Sequence, residues 1–333
     1  MFSSAKKYFT DKNQDLTLLR LFKPVYIFFT MFGLFPYCMK FKTKHICVII
    51  PRSIYLNILC AITVNIVLCI FGGMDIRNKT IEIIAGEGAT VTQVNYILEV
   101  VLLQISCFSS YISIYYYRHR LVHILNDMAS TWLELPSTNN RILENLRSHI
   151  IVTIIIPLFL TFLQIIMNCV WRVEWSTTLI TIAYTCLEAV QLIALMFYYL
   201  LVLMLVALLS NVEEAIKTIH KTKPVSDNFT KIDGRVSTIQ VRSIELTCVK
   251  AFEIKREIND AFQATILLNC LQSFHSIVSE THGIYYGLLV DKSLETDVVI
   301  NVTLWVLCSL MKIYAFAYSG NLINLVVSGK PLR

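Results

Sequence analysis

The sequence predicts an all-α, polytopic membrane helical bundle with six spanning helices, an N-terminal membrane-dipping segment, and helices 4 and 5 extended into a cytoplasmic anchor. Three observations support this prediction. Hydrophobic residues make up 56% of the 333 positions and charged residues only 16%, whereas about a quarter of the residues in soluble domains are charged. Several apolar runs reach the roughly 20 residues that cross a bilayer as a helix. The basic residues also gather in alternate connecting segments, as is typical of multi-pass membrane proteins.

Each part of the chain has a predicted place in this bundle. Residues 1–53 are predicted to be cytoplasmic, except that segment 21–39 dips into the membrane without crossing it. That segment contains Pro24, Gly33 and Pro36, and irregular backbone is tolerated at membrane depth only where other protein covers it. Spanning helices 1 to 4 are predicted within 54–210, helices 5 and 6 within 259–328, and a short cytoplasmic tail at 329–333. Helices 1 to 4 cover 54–73, 91–117, 149–170 and 177–210.

The distribution of Lys and Arg predicts the orientation of the chain. If segment 21–39 does not cross, 24 basic residues lie on the cytoplasmic side and 4 outside. If it does cross, the better orientation places 19 inside and 9 outside, with the N-terminus external. Basic residues near spanning helices stay cytoplasmic, so the first arrangement is favoured. It predicts a multi-pass protein of the plasma membrane with a cytoplasmic N-terminus.

Two predicted helices are longer than the membrane is thick. No Gly or Pro lies between Ser176 and Pro224, or between Gly234 and Gly283, and such helices would measure about 65–75 Å. The second carries an apolar stripe with steps of three and four, formed by Val241, Ile244, Cys248, Ala251, Ile254, Ile258 and Phe262. Residues 211–258 form either a simple helical hairpin or an anchor through which subunits associate. The anchor is favoured because a hairpin alone leaves one side of each helix in water.

Three carboxylates and one ammonium group lie inside the apolar runs of the predicted spanning helices, where charges are rare and usually functional. They are Glu99, Glu188, Glu280 and Lys312. In the predicted orientation the three acids lie in the outer half or near the middle of their helices, which suggests a polar cavity open to the outside. Lys312 lies too deep to reach the surface, so we expect it to pair with Glu188 or Glu280.

Polar and aromatic residues on the same helices are candidates to line this cavity. Amides and carboxylates beside aromatic rings suit small polar organic ligands. For any one of these residues, an interhelical hydrogen bond is the alternative explanation. Besides the three acids, the predicted ligand-binding residues are Tyr96, Gln164, Tyr184, Gln191, His282 and Trp305.

Several other functions are excluded by the sequence. It contains no GxSxG, HExxH, Walker A or GxGxxG motif, so no catalytic residues are predicted. The ten Cys show no metal-ligand spacing, and neither a metal nor a cofactor is expected. The net charge of +6 is divided among short loops, which favours contact with anionic lipid rather than nucleic acid.

Two stretches resemble a known family. The sequence Phe32-Gly33-Leu34-Phe35-Pro36-Tyr37 precedes the first span, and the stretch from Lys255 to Gln263 leads through Phe274 to Tyr285 and Tyr286. Both are similar to the insect gustatory receptor family, relatives of insect odorant receptors. The resemblance implies a homo- or heterotetrameric ligand-gated cation channel, with a tastant pocket in the outer half of each subunit and a cytoplasmic anchor that joins the subunits.

One feature of that family is missing from the sequence. Such receptors end in a seventh helix that carries Thr-Tyr followed by Gln-Phe and lines the pore, but no Gln-Phe dipeptide follows Val298. The resemblance therefore implies a truncated form that lacks the pore helix.

The alternative function is a seven-helix G-protein-coupled receptor with an external N-terminus. In that arrangement segment 21–39 would be the first span. Two features disfavour it: Tyr117-Arg118-His119 lacks an acid before the Arg, and no Pro interrupts the segments from Val225 to Lys330.

Overall fold

The computed structural model of the chain describes residues 17–31, 34–35, 38–41, 47–50, 54–84, 90–135, 140–171, 175–221, 231–291 and 296–327. Within these ranges the fold is helical, as predicted, apart from one short hairpin of strands β1 (Cys38–Phe41) and β2 (Cys47–Ile50). The helices are α1 (Leu18–Met31), α2 (Ile54–Ile84), α3 (Thr90–Tyr116), α4 (Arg118–Glu134), α5 (Asn140–Trp171), α6 (Trp175–Lys221), α7 (Lys231–Tyr286) and α8 (Thr296–Val327). A π-helical turn, Gly287–Asp291, continues α7.

The hairpin is an addition to the predicted all-α architecture. It pairs antiparallel, with Cys38 opposite Ile50 and Phe41 opposite Cys47. The second strand contains three consecutive β-branched residues, Val48–Ile50, which favour an extended chain over a helix. The hairpin packs beside α4.

Four described helices are long and apolar enough to cross a membrane, namely those spanning Gln93–Tyr116, Asn140–Met167, Ile182–Thr218 and Val299–Leu322. The other two predicted spans lie in α2 and α7. The polar residues of α7 face inward: Asn269, Gln272 and Ser276 are buried, whereas Leu267 and Phe274 are 70% and 65% exposed. An apolar outer face with a polar inner face is expected of a helix surrounded by lipid.

The exposed face of α3 marks one edge of the apolar surface. Its large exposed residues recur at steps of three and four, and they are Leu98, Val101, Ile105, Phe108 and Ile112. The stripe ends at the exposed tyrosines Tyr115 and Tyr116, where the Arg118 guanidinium lies 4.5 Å from the centre of the Tyr115 ring. Aromatic and basic residues are enriched at the membrane interface, so the membrane boundary lies at this end of α3.

Helix α4 begins just beyond that boundary and has a polar exposed face. Its buried face packs against α7, and Lys250 Nζ on α7 lies 2.8 Å from Glu134 Oε2 on α4. Helices α4 and α6 therefore cover most of the predicted apolar stripe of α7 within the chain: Ile254 and Ile258 are buried, whereas Val241 remains exposed.

The centre of the bundle is α6. Its residues from Leu187 to Leu208 are buried almost without exception, and α2, α3, α4, α5, α7 and α8 all pack against it. A helix enclosed in this way has no lipid-facing side, so its polar residues can contact only other helices or bound molecules.

An aromatic cluster joins the N-terminal segment to this centre. The ring of Phe197 on α6 is surrounded by Phe35 at 5.0 Å, Phe29 and Phe262 at 5.5 Å, and Phe22 at 5.8 Å between ring centroids. Phe197 lies 22 residues along α6 from Trp175, or about 33 Å. Phe197 is therefore near the middle of α6, and Phe22 and Phe29 of α1 contact α6 there.

Candidate ligand-binding site

Residues from α3, α6, α7 and α8 form a buried polar cluster near one end of the bundle. At this end lie the α2–α3, α5–α6 and α7–α8 connections, and we name it the predicted outer end because the sequence places it outside the cell. Counted from the helix ends, Tyr96 and Glu280 each lie six residues in, or about 9 Å. Glu99, Tyr184 and Trp305 each lie nine residues in, at about 14 Å.

The deepest part of the cluster is a buried ion pair. Lys312 Nζ lies 2.7 Å from Glu188 Oε1, and the two side chains are 0% and 3% exposed. Lys312 also donates hydrogen bonds to Gln191 Oε1 at 3.2 Å and to Gln272 Oε1 at 3.3 Å. The predicted partner of Lys312 is therefore Glu188 rather than Glu280. One ammonium group connects α6, α7 and α8.

Gln191 extends this connection to a fourth helix. Its Nε2 donates a hydrogen bond of 2.8 Å to the carbonyl oxygen of Leu103 on α3. Because its amide oxygen accepts from Lys312, both ends of this side chain are occupied. Gln191, a predicted ligand-binding residue, thus holds α3 and α8 in register with α6.

Glu99 lies nearer the predicted outer end than the Glu188–Lys312 pair does. It is buried, and its Oε1 accepts a hydrogen bond of 2.7 Å from Ser276 Oγ on α7. The hydroxyls of Tyr184 and Ser279 also hydrogen-bond to this carboxylate. Hydroxyl donors stabilise a buried carboxylate without neutralising its charge.

Three aromatic rings stand beside Glu99. Tyr184 stacks on Tyr96, with ring centroids 6.3 Å apart and an interplanar angle of 12°. Trp305 on α8 meets Tyr184 edge to face, with centroids 5.0 Å apart. The structure thus brings three predicted residues from three different helices into one aromatic group.

Glu280 completes the acidic part of the cluster. It is only partly buried, and it lies close enough to Glu99 and Glu188 for the three carboxylates to repel one another when they are ionised. The cluster therefore contains three carboxylates and one ammonium group, Lys312. An arrangement with this excess of acid can attract a cation or a donor-rich ligand.

The two remaining predicted site residues are His282 and Gln164. His282 stacks on Tyr286 and, with Ile277, Val278, Thr281 and Tyr285, lines a shallow cavity of about 390 Å³ on the exposed face of α7. Two helical positions correspond to about 200° of rotation, so His282 and Glu280 point to opposite sides of α7. Gln164 is buried on α5, which packs against α6 and α8.

Uncharged residues on α7 also contribute to the cluster, although they are not among the residues predicted from the sequence. Gln272 and Ser276 contact Lys312 and Glu99 directly. With Thr265, Asn269 and Glu280 they recur at steps of four, three, four and four, which places them on one face of a helix. That spacing is the signal that could have identified them.

This polar face of α7 meets small residues on α3. Thr265 Oγ1 donates a hydrogen bond of 2.9 Å to Ser113 Oγ, and Ser106 and Ser110 lie buried further along the same helix. Small hydroxyl residues allow membrane helices to approach closely and to hydrogen-bond across the interface. The two helices that carry Glu99 and Glu280 are therefore tightly joined.

Comparison with known families identifies the class of protein. Residues 22–327 match the model of the 7tm chemosensory receptor family. The chain belongs to this family. The receptor is thus a multi-pass membrane protein and not an enzyme, and the prediction of a chemoreceptor is confirmed.

A solved structure supports the fold of the receptor. The receptor is similar to that structure, the insect olfactory receptor OR5 from Machilis hrabei. The TM-score is 0.66 and the sequence identity 12%, and the match covers 94% of this chain and 80% of that chain. At this identity the similarity concerns the fold. The receptor has no match among curated proteins.

Proposed function

We propose that the receptor is a gustatory receptor, a subunit of a ligand-gated cation channel that binds a small polar tastant in the outer half of its helix bundle. The observation that carries this proposal is the cluster of Glu99, Glu188 and Glu280 beside Tyr184 and Trp305. Carboxylates inside a membrane protein are costly to bury and usually serve a function. Aromatic faces with a few fixed polar groups are the usual lining of a small-molecule site.

The proposed orientation has a cytoplasmic N-terminus. The excess of Lys and Arg in alternate connections supports it. The contact of α1 with Phe197 also supports it, because that ring lies about 33 Å along α6 from the predicted outer end, and a bilayer core is roughly 30 Å thick. In this orientation segment 21–39 enters the membrane from the cytoplasmic side and returns to it, while the ligand cluster faces outward.

Subunits are proposed to associate, as a homo- or heterotetramer, through the cytoplasmic part of α7. Leu246, Val249 and Phe252 are 56%, 51% and 49% exposed there. These residues lie beside or beyond Lys250, which pairs with Glu134 of α4, and are therefore outside the apolar belt. Large apolar side chains exposed to water in a row indicate a protein interface.

A functional assay tests the proposed channel and its site together. Cells that express the receptor, alone and with other subunits, are recorded in excised patches without GTP while sugars, amino acids, alkaloids and amines are applied. We expect a cation current for at least one compound. Glu280→Gln is expected to raise the half-maximal concentration about 10-fold or more, because a hydrogen bond to a charged group contributes about 1.5–3 kcal/mol.

The matched control for this assay is Glu245→Gln. Glu245 is an exposed carboxylate on the same helix but in its cytoplasmic part, so its loss should leave the dose–response curve unchanged. Surface expression is measured for every variant. Unchanged curves for both Glu99→Gln and Glu280→Gln would remove these residues from the site, and a current that requires GTP would favour a G-protein-coupled receptor.

Labelling of intact cells tests the orientation. An epitope tag at the N-terminus should bind antibody only after the cells are permeabilised, whereas a tag inserted after Glu87 should be labelled on intact cells. The two tags control for each other. Surface labelling of the N-terminal tag would contradict the proposed orientation and support the seven-span alternative.

A further inference from the structure

We infer that the ligand of this site is an organic ammonium ion, held by Glu99 and Glu280 and covered by the rings of Tyr96, Tyr184 and Trp305. The inference rests on the proposed function, because it names the chemical class of ligand for the same site. The inferred ligand is a cation, whereas the proposed function requires only a small polar molecule.

The described cluster contains more acidic groups than basic groups. The ammonium of Lys312 already contacts Glu188, Gln191 and Gln272, and three donors are all that a Lys ammonium possesses. Within the described ranges, Glu99 receives hydrogen bonds from hydroxyls only. The charges that interact with Glu280 are those of Glu99 and Glu188. Among the described residues, the cluster therefore has two more acids than it has cations to balance them.

A second, independent observation concerns buried polar atoms. Glu188 Oε2 has no hydrogen-bond partner in the described part of the chain, although the side chain is almost completely buried and its charge acts on Glu99, Glu280 and Tyr184. A buried acceptor without a partner costs free energy. A ligand that supplies N–H donors and positive charge near this carboxylate would remove that cost.

The aromatic rings fit the same chemistry. A cation is attracted to the face of a Tyr or Trp ring within about 6 Å of its centre, and most strongly where water is excluded. Tyr96 and Tyr184 are stacked, and Trp305 stands edge-on to Tyr184, so the group offers rings in two orientations. Rings of this kind cover the hydrocarbon part of an amine while the carboxylates bind its nitrogen.

The order of the residues along the helices determines which group a ligand from the predicted outer end would meet first. Glu280 and Tyr96 are partly exposed and lie about 9 Å from the helix ends. Glu99, Tyr184 and Trp305 follow at about 14 Å, and the Glu188–Lys312 pair lies deepest. A cation that enters from the predicted outer end meets a carboxylate first. An anion of the same size is repelled at that point, which excludes it.

Direct binding to matched probes tests the inference. The purified full-length receptor in lipid nanodiscs is titrated with phenethylamine, 2-phenylethanol and 3-phenylpropanoate, which share a phenyl group and differ in charge. We expect phenethylamine to bind at least about tenfold more tightly than the alcohol, since its nitrogen is paired with a buried carboxylate. The carboxylate probe should bind least.

Variants assign this preference to the site. Glu280→Gln and Glu99→Gln should each reduce the preference for phenethylamine over 2-phenylethanol to about threefold or less, while Glu245→Gln should preserve it. Thermal denaturation and size-exclusion profiles establish that the variants are folded, and the wild-type probe series is decisive even if one variant is not.

Two outcomes would overturn the inference. Equal or tighter binding of the alcohol or of 3-phenylpropanoate would show that the site does not select cations, and so would an absence of saturable phenethylamine binding. A preference for phenethylamine that persists in both Gln variants would place the amine elsewhere. In each case a tastant-gated current would still support the proposed function, so the two failures are distinguishable.

Discussion

The variant Lys312→Met is expected to be about 3–5 kcal/mol less stable than the wild type, because it leaves the carboxylate of Glu188 buried without a counter-charge. The pair lies at the contact of three helices, and Gln191 and Gln272 lose their donor at the same time. We expect a lower melting temperature in detergent and strongly reduced surface expression. Fluorescence-detected size-exclusion after a heating series measures the first quantity, and antibody labelling of intact cells measures the second.

Two further variants separate charge from packing. In the double variant Lys312→Met/Glu188→Met the unpaired carboxylate is gone, so part of the lost stability should return. The matched control is Lys217→Met, which removes an exposed partner of Glu213 on α6 and should change stability by no more than about 1 kcal/mol. If the loss of stability in the double variant equals the sum of the losses in Lys312→Met and Glu188→Met, the ion pair is not the source of the effect.

Truncation of Phe197 is expected to have the second large effect. Phe197→Ala removes the ring around which Phe22, Phe29, Phe35 and Phe262 are arranged. A cavity in such a position costs about 3–5 kcal/mol for a Phe→Ala change. Because this ring joins α1 to α6 and α7, we also expect faster proteolysis of the N-terminal segment, which limited trypsin digestion in detergent measures.

Phe162→Ala provides the control for this experiment. Phe162 lies on α5 and is 61% exposed on its apolar outer face, so its removal leaves no enclosed cavity. Its effect should stay within about 0.5 kcal/mol, as for most surface positions. Similar losses for the two variants would mean that α1 is not held by the cluster around Phe197.

The features that could be predicted from the sequence are those in which a single residue has a large effect on the free energy of a helix in the membrane. A charge inside an apolar run is so unfavourable that Glu99, Glu188 and Lys312 can each be identified as functional candidates. The sequence also limits the expected partner of Lys312 to two acids. The helical fold class can be predicted for a similar reason, because backbone N–H and C=O groups in lipid need hydrogen-bond partners within the segment itself.

The residues and contacts that could not be predicted from the sequence depend mostly on contacts between distant segments. Gln272 and Ser276 are single polar residues that gain their role only when α7 meets α3 and α8. The stripe on α7 requires a partner, but nothing in it specifies that α4, more than a hundred residues earlier, supplies much of the cover. His282 differs from these cases, because two helical positions from Glu280 correspond to about 200° of rotation, so helical spacing alone places it on another face.

The central position of α6 also affects how the receptor is made. Gln191 enters the membrane with α6, yet the Lys312 side chain that it binds follows 121 residues later. At about 5–20 residues per second, ribosomes need about 6–24 s to synthesise that interval. During this time the carboxylate of Glu188 has no counter-ion, and α6 lacks the two helices that will cover it. We therefore expect maturation of the receptor to depend on α8.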